Sequence, residues 1–305
     1  MKKIIITGAT GSIGCKLVKT FVTKGIEITV FTQNPQKAGK NLPSVKDIVK
    51  WDYASPDEWK NHLNGIDAVV HLAGANLGAK RWNDSYKKIA YESRIISTRN
   101  LVNAIALLDK KPKVFISSSA VGYYGNRNDE YLSEDEERAD NFLAKLCSDW
   151  ELEAAKVETL GVRRVSVRTG LVLSKAEGLL KQMIPSFKLF LGGYLGNGKQ
   201  WFPWIHIDDI VGIYLHAIDN ENLRGAVNAT SPGIVRMKEF SKTLGRVLHR
   251  PSFLPIPKFA IKILKGELGN YVTDSQRVAM DKLLQSGYKF KFENLDEALR
   301  DLLKK

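Results

Sequence analysis

The run Met1–Gly14, MKKIIITGATGSIG, constrains this chain more than any other segment. Three β-branched residues, Ile4, Ile5 and Ile6, lead without a break into Thr7-Gly8-Ala9-Thr10-Gly11-Ser12-Ile13-Gly14. Continuous apolar β-branched character marks a strand buried on both faces. The glycines mark a tight turn. Ile13, Leu17, Val18, Phe21 and Val22 then share one face of a helix that Gly25 ends. Strand, glycine turn and helix start in that order make a cradle for a dinucleotide pyrophosphate. Gly8 permits the turn, Gly11 lets the backbone approach the phosphates, and Gly14 lets the helix pack on the strand. The helix start adds free N–H groups and the positive end of its dipole. Gly8, Thr10, Gly11, Ser12, Ile13 and Gly14 are therefore candidate cofactor contacts.

A length of 305 residues suits one large domain with a smaller lobe. No apolar run is long enough to span a membrane, and the one after Lys2-Lys3 is too short for a signal segment. The expectation is a cytoplasmic protein with no membrane partner. Cys15 and Cys147 form no disulfide framework. The formal charge of +13 raises nucleic acid as a partner, but the lysines are spread over the whole length with no arginine-rich arm. Attraction for a polyanionic small molecule explains the balance better, and no nucleic-acid partner is expected. Five histidines show no metal-ligand spacing, so no metal site is expected. Nothing in the sequence sets the oligomeric state.

Strand and helix signals alternate through the first two-thirds. Strands are predicted over Lys3–Thr7, Glu27–Thr32, Val45–Trp51, Ala68–Leu72, Lys113–Ser118 and Arg163–Leu173, with helices over Ile13–Lys24, Pro56–Asn64, Asp84–Leu108 and Asn141–Thr159. Apolar strands separated by helices imply a parallel sheet covered on both faces. The expected class is α/β: a Rossmann-type doubly wound parallel sheet with a smaller, mostly helical C-terminal lobe. Residues 1–174 form the nucleotide-binding part, with 201–230 contributing, and 175–200 with 231–305 form the lobe. Helices there are predicted over Lys238–Leu248, Lys258–Leu264, Ser275–Gln285 and Leu295–Leu303.

The glycine spacing GxxGxxG resembles that of the short-chain dehydrogenase superfamily, above all its extended, epimerase-like branch. Several strand ends then acquire implied roles. Val30-Phe31-Thr32-Gln33 carries no acidic residue to chelate the adenosine ribose, and Lys37 and Lys40 lie close by. That favours NADP while leaving NAD open. Thr32 and Gln33 are candidate contacts, although Gln33 stands where the branch usually carries an arginine. Asp52 matches a residue that bonds the adenine amino group. Leu72-Ala73-Gly74 matches the turn that passes the adenosine and ribose. Arg94 falls where many relatives have an asparagine beneath the cofactor; it reaches a phosphate or else pairs on the surface. Ser117 and Ser118 end a strand beside the nicotinamide, Ser119 matches the catalytic serine, and Gly170 lies near the nicotinamide.

The superfamily's oxidoreductases use a Tyr-x-x-x-Lys pair whose lysine lowers the tyrosine's pKa for proton transfer. No such pair occurs in this sequence. Counting from Ser119 to Glu151 puts Leu143 at the tyrosine position and Cys147 at the lysine position. Tyr124, in the run Tyr123-Tyr124-Gly125, is the candidate that orients a carbonyl or alcohol with Ser119; Cys147 is either a reactive thiol or packing. In Phe202-Pro203-Trp204-Ile205-His206-Ile207-Asp208-Asp209 the acids suit a helix start.

The segments Gly74–Trp82, Ser118–Gly125, Cys147–Glu151, Arg168–Leu173 and Asn228–Pro232 together resemble one subgroup, the "epimerase family protein" group of atypical extended short-chain dehydrogenases. Ser275-Gln276-Arg277-Val278 resembles that group's helical extension. The resemblance implies an NADP(H)-binding, epimerase-like oxidoreductase acting on a small polar or nucleotide-sugar-like molecule. The alternative is a catalytically silent NADP(H)-binding sensor or scaffold.

Overall fold

The computed structural model describes residues 2–304. Its strands are β1 (Lys3–Thr7), β2 (Glu27–Thr32), β3 (Asp47–Lys50), β4 (Ala68–His71), β5 (Val114–Ala120), β6 (Tyr131–Leu132), β7 (Arg163–Thr169), β8 (Leu171–Leu173), β9 (Trp201–Phe202), β10 (Trp204–His206), β11 (Gly225–Ala229), β12 (Val235–Arg236) and β13 (Arg277–Val278). Its α-helices are α1 (Ser12–Thr23), α2 (Pro35–Asn41), α3 (Asp84–Ala106), α4 (Phe142–Ala155), α5 (Gly178–Lys188), α6 (Ile207–Asp219), α7 (Met237–Leu248), α8 (Lys258–Lys265), α9 (Asp281–Gln285) and α10 (Leu295–Leu303).

Seven strands form one all-parallel sheet in the order β3-β2-β1-β4-β5-β7-β11. The winding reverses between β1 and β4, and that switch point opens a crevice at the carboxyl ends of the strands. Side-chain alternation along β1 feeds two cores. Ile4 and Ile6 pack with Leu17, Phe21, Ile210 and Ile213 beneath α1 and α6. Ile5 points the other way, into Phe31, Trp59, Leu101, Ile105 and Phe115 beneath α3. A third core, with Leu180, Phe187, Phe202, Trp204, Phe240 and Leu299, joins α5, α7 and α10.

Asparagines start four helices. Asn34, Asn83, Asn141 and Asn294 each accept a first-turn N–H through the side chain, at Lys37, Tyr86, Ala144 and Asp296 respectively.

Three sequence expectations need correction. Pro56–Asn64 is not an α-helix but two 3-10 segments, Pro56–Glu58 and Lys60–Leu63. Trp59 between them is fully buried and donates its Nε1 proton to the Asp52 carbonyl, which pulls the chain out of helical register. The single strand over Arg163–Leu173 divides at Gly170. A Cβ there would lie 2.2 Å from the Pro203 carbonyl oxygen, and the chain crosses over to pair β8 with β10. Ser275–Gln285 is not one helix. Arg277–Val278 instead adds beside Tyr131–Leu132, where Val278 is buried with Val121, Tyr124 and Leu132, and only α9 is helical. Helices α2 and α5 lie outside the predicted elements: α2 is short and mostly polar, and α5 carries Pro185 inside it although Leu180, Met183 and Phe187 share its buried face.

Candidate cofactor site

The glycine turn builds the floor of the crevice. Gly8 adopts φ +69°, and a Cβ there would lie 2.8 Å from the Ala73 amide nitrogen. A Cβ on Gly14 would lie 2.5 Å from the Gly8 carbonyl oxygen. Both positions therefore require glycine for the chain to close on itself. Gly11 differs: its Cβ would meet only the Gly8 oxygen, at 3.5 Å, and otherwise point into open space. Gly11 is also the N-cap of α1 and offers no side-chain acceptor. The amides of Ser12, Ile13 and Gly14 have no carbonyl one turn back inside the helix to meet them. They lie at the wall of a cavity of about 300 Å³ lined by Gly8, Gly11, Leu72, Asn76, Ser118 and Ser174 among others. A pocket of unpaired amides at a helix start, kept clear by a glycine, fits a dinucleotide phosphate. Glu177 also lines it and contributes the opposing charge.

Behind the turn lies a hydroxyl and imidazole chain. Thr7 Oγ1 pairs with His71 Nδ1 at 2.7 Å and accepts the Ala73 amide, while Thr98 Oγ1 lies 3.0 Å from His71 Nε2. Burial pushes His71 down to about 3, so the ring is neutral. It locks the ends of β1 and β4 to α3.

The three serines of β5 alternate across the sheet as a strand dictates. Ser117 is fully buried and pairs with Ser166, so its hydroxyl does not reach the crevice as expected. Ser118 lines the cavity and pairs with the Tyr214 hydroxyl. Ser119 donates to Glu151 Oε1 at 2.6 Å. Glu151 in turn accepts from Nε and Nη2 of Arg168, both at 2.9 Å, inside the protein.

Tyr124, expected beside Ser119 as an orienting group, is fully buried. Its hydroxyl donates to Asn228 Oδ1 at 2.7 Å and accepts from Arg168. Burial pushes the phenol up to about 12. Leu143 packs against Gly122, and Cys147 is buried on α4 with its thiol pushed up to about 11, chiefly by desolvation. Neither position carries a charge near neutral pH.

At the end of β2, Thr32 is half-buried and Gln33 exposed, with Lys37 and Lys40 exposed on α2. Asp52 is exposed and turned onto its own loop, where its carboxylate accepts from the Ala54 amide and Ser55 hydroxyl. Thr10 is half-buried at the turn. Gly74 lies directly over Arg94: a Cβ would approach the guanidinium carbon to 2.8 Å. Gly170 is fitted beneath Pro203. Sequence reasoning missed Thr7, His71, Asn76 and Ser174. Asn76 and Ser174 each follow the end of a strand, which is the one sequence signal that pointed to them.

A doubly wound parallel sheet with an open glycine turn at its switch point defines a Rossmann-type nucleotide-binding protein. The model of the NAD dependent epimerase/dehydratase family matches residues 4–229, and a domain of unknown function (DUF1731) matches residues 256–302. The chain belongs to the NAD dependent epimerase/dehydratase family. It is 40% identical over 306 residues to epimerase family protein SSP1921 of Staphylococcus saprophyticus, covering 99% of this chain and 100% of that protein. It is 39% identical to the chloroplastic SDR39U1 homolog of Arabidopsis thaliana, covering 98% of this chain and 86% of that protein. Human epimerase family protein SDR39U1 (isoform 2), solved with NADPH, superposes with a TM-score of 0.87 at 30% identity over 98% of both chains. A UDP-N-acetylglucosamine 4-epimerase from Methanobrevibacter ruminantium, at 18% identity and TM-score 0.81 over 99% of this chain and 97% of that one, shares the fold. No helix among the described residues is long and apolar enough to cross a membrane, and none of their His, Cys, Asp and Glu side chains cluster as a metal site.

Proposed function

We propose that this chain binds NADP(H) in the crevice and acts there as an epimerase-like oxidoreductase on a small polar or nucleotide-sugar-like substrate in the cytoplasm. The unpaired α1 amides beside the Gly11 opening carry the reading. The human relative solved with NADPH supports it. When bound, the cofactor supplies or accepts a hydride. The chain's own residues supply the rest. Gly8, Gly11, Ser12, Ile13 and Gly14 hold the diphosphate, with Thr10 at its edge. Leu72, Ala73 and Gly74 pass the ribose, and Thr32 and Gln33 meet the adenosine end. Asp52 caps its own loop, and its free lone pairs remain open to the adenine amino group. No acid at the end of β2 repels a 2′-phosphate, which favours NADP(H) over NAD(H).

Ser118 and Ser119 stand at the nicotinamide end, with Gly170 opposite. The Ser119 proton is committed to Glu151, so Ser119 accepts from a substrate hydroxyl rather than donating to a carbonyl. Tyr124 holds Arg168 and Asn228 in place and moves no proton. The site so built orients a substrate alcohol and leaves its proton to water or to the substrate. Thermal scans with millimolar NADPH test the reading: a rise in melting temperature is expected, and no shift with NADPH or NADH overturns it.

A second reading has its own observation. Counted from Ser119, Leu143 and Cys147 fall where the resemblance puts the family's tyrosine and lysine, and burial keeps the Cys147 thiol neutral. A silent NADP(H) sensor is built in that way. Cofactor oxidation with a panel of carbonyl compounds separates the two: turnover supports the enzyme, and binding without turnover supports the sensor.

A further inference from the structure

Two stretches of the chain carry no acidic residue. Residues 178–207 hold Lys181, Lys188 and Lys199, and residues 240–266 hold Lys242, Arg246, Arg250, Lys258, Lys262 and Lys265. Nine cations therefore stand without a carboxylate in their own segments, against a net charge of +13 for the whole chain. Among the described residues Arg246 alone of the nine forms an ion pair, with Asp296, and Lys258 lies near the half-buried Asp274. The two stretches meet at one edge of the C-terminal lobe. The Phe253 and Leu254 amides both donate to the Gly192 carbonyl at 3.2 Å, and the Ile256 amide donates to the Tyr194 carbonyl at 2.8 Å.

The same edge is apolar. Leu189, Phe190, Leu191, Phe253, Phe259 and Ile263 are 57–70% exposed. With Leu254 they make up seven of the thirteen large hydrophobic side chains exposed among the described residues, so exposed apolar area gathers where acids are absent. Phe190 is held there against its backbone preference. At the end of α5 the Phe190 amide donates to the Phe187 carbonyl and the Leu191 amide to the Ser186 carbonyl, both at 2.9 Å. That turn puts residue 190 at φ +63°, where glycine is usual. The Arg250 guanidinium carbon lies 4.6 Å from the centroid of its exposed ring. A strained backbone and a wet aromatic ring both disfavour phenylalanine at this position. On α8, Phe259 and Ile263 share one side, Lys258, Lys262 and Lys265 line the adjoining side, and Ile261 is buried in the third core.

We propose that this edge of the C-terminal lobe lies on an anionic phospholipid bilayer, with Phe190 and Phe253 entering the interface and the lysines of α5 and α8 meeting the headgroups. Charge decides the occupant. A second copy of this chain would bring the same cations face to face across a two-fold contact. A nucleic-acid duplex offers phosphates but no apolar layer for the phenylalanines. An anionic bilayer offers both, the charge at its surface and the hydrocarbon beneath. The expectation of no membrane partner concerned spanning segments, and no described helix is long and apolar enough to cross. A surface that rests on a bilayer needs none.

The test is co-sedimentation of the full chain with vesicles of phosphatidylcholine alone and of phosphatidylcholine and phosphatidylserine in equal parts. The wild type is expected to sediment with the mixed vesicles, to stay free of the neutral ones, and to be released as salt rises. Phe190→Gly/Phe253→Ser keeps the charge and should lower the partition coefficient about tenfold or more. Glycine suits the left-handed turn, so the melting temperature of that variant should hold, and a lost fold would not explain lost binding. Lys258→Gln/Lys262→Gln should also weaken binding about tenfold or more. A wild type that ignores the mixed vesicles overturns the proposal. So does an unchanged partition in Phe190→Gly/Phe253→Ser, which would mean adsorption through net charge alone. So does a wild-type dimer in sedimentation velocity that the same variant abolishes, because a second copy would then cover the edge.

Discussion

Arg168 closes on Glu151 with two parallel hydrogen bonds of 2.9 Å, and both side chains are buried between β7 and α4. The same carboxylate takes the Ser119 proton, and the same guanidinium donates to the Tyr124 hydroxyl. One ion pair therefore fixes two of the residues that stand at the end of β5. Arg168 also lies 3.6 Å from the Tyr123 ring centroid.

Removing one partner of this pair leaves the other charged and buried. Arg168→Met or Glu151→Gln should cost about 3–5 kcal/mol of stability. The double variant Glu151→Gln/Arg168→Met should lose less than the sum of its parts. Chemical denaturation of the four proteins measures this, and strict additivity would contradict a coupled pair.

The glycines of the turn should separate stability from binding. Gly14→Ala drives a Cβ into the Gly8 carbonyl and the Ala9 backbone, and should lower the melting temperature. Gly11→Ala meets only the Gly8 oxygen at 3.5 Å and projects into the phosphate space. It should leave the unfolding free energy within about 1 kcal/mol of wild type while weakening NADPH tenfold or more, by about 1.4 kcal/mol. Melting curves and NADPH titration on the same two samples check both.

Cofactor choice should turn on residue 33. Gln33 is exposed at the end of β2 with no acidic neighbour in that turn. Gln33→Arg adds a fork for the 2′-phosphate and should tighten NADPH about tenfold with little change for NADH. Gln33→Asp should reverse the order. Parallel titrations with the two reduced cofactors decide it.

Acid should weaken the fold through buried histidines. His71 is pushed from 6.5 to about 3 and His206 to about 4, in each case chiefly by burial. Below about pH 6.5 the unfolded chain takes up protons that the folded chain refuses. Stability should then fall by as much as about 1.4 kcal/mol per pH unit for each such group, until the folded rings titrate. His71→Gln should be less stable at pH 7 and show a shallower loss between pH 6.5 and 5. An identical slope would mean that His71 does not carry the effect.

The opening residues, read alone, determine the first strand, the glycine turn and the helix that follows, because β-branched runs and glycine spacing act over a few residues. The helices predicted from Asp84 and from Asn141 were legible for the same local reason, and the structure shows Asn83 and Asn141 capping them. The parallel sheet followed from strands and helices in alternation. What sequence could not supply was every consequence of long-range approach. Trp59 broke an expected helix because the core took its ring. Gly170 split a strand because Pro203 crosses it. Tyr124, legible as a candidate beside Ser119, is sealed off by Arg168 and Asn228, which lie 44 and 104 residues away in the chain. Burial and charge pairing belong to three dimensions. So the tertiary structure alone decided which hydroxyls face the crevice and which are sealed inside the protein.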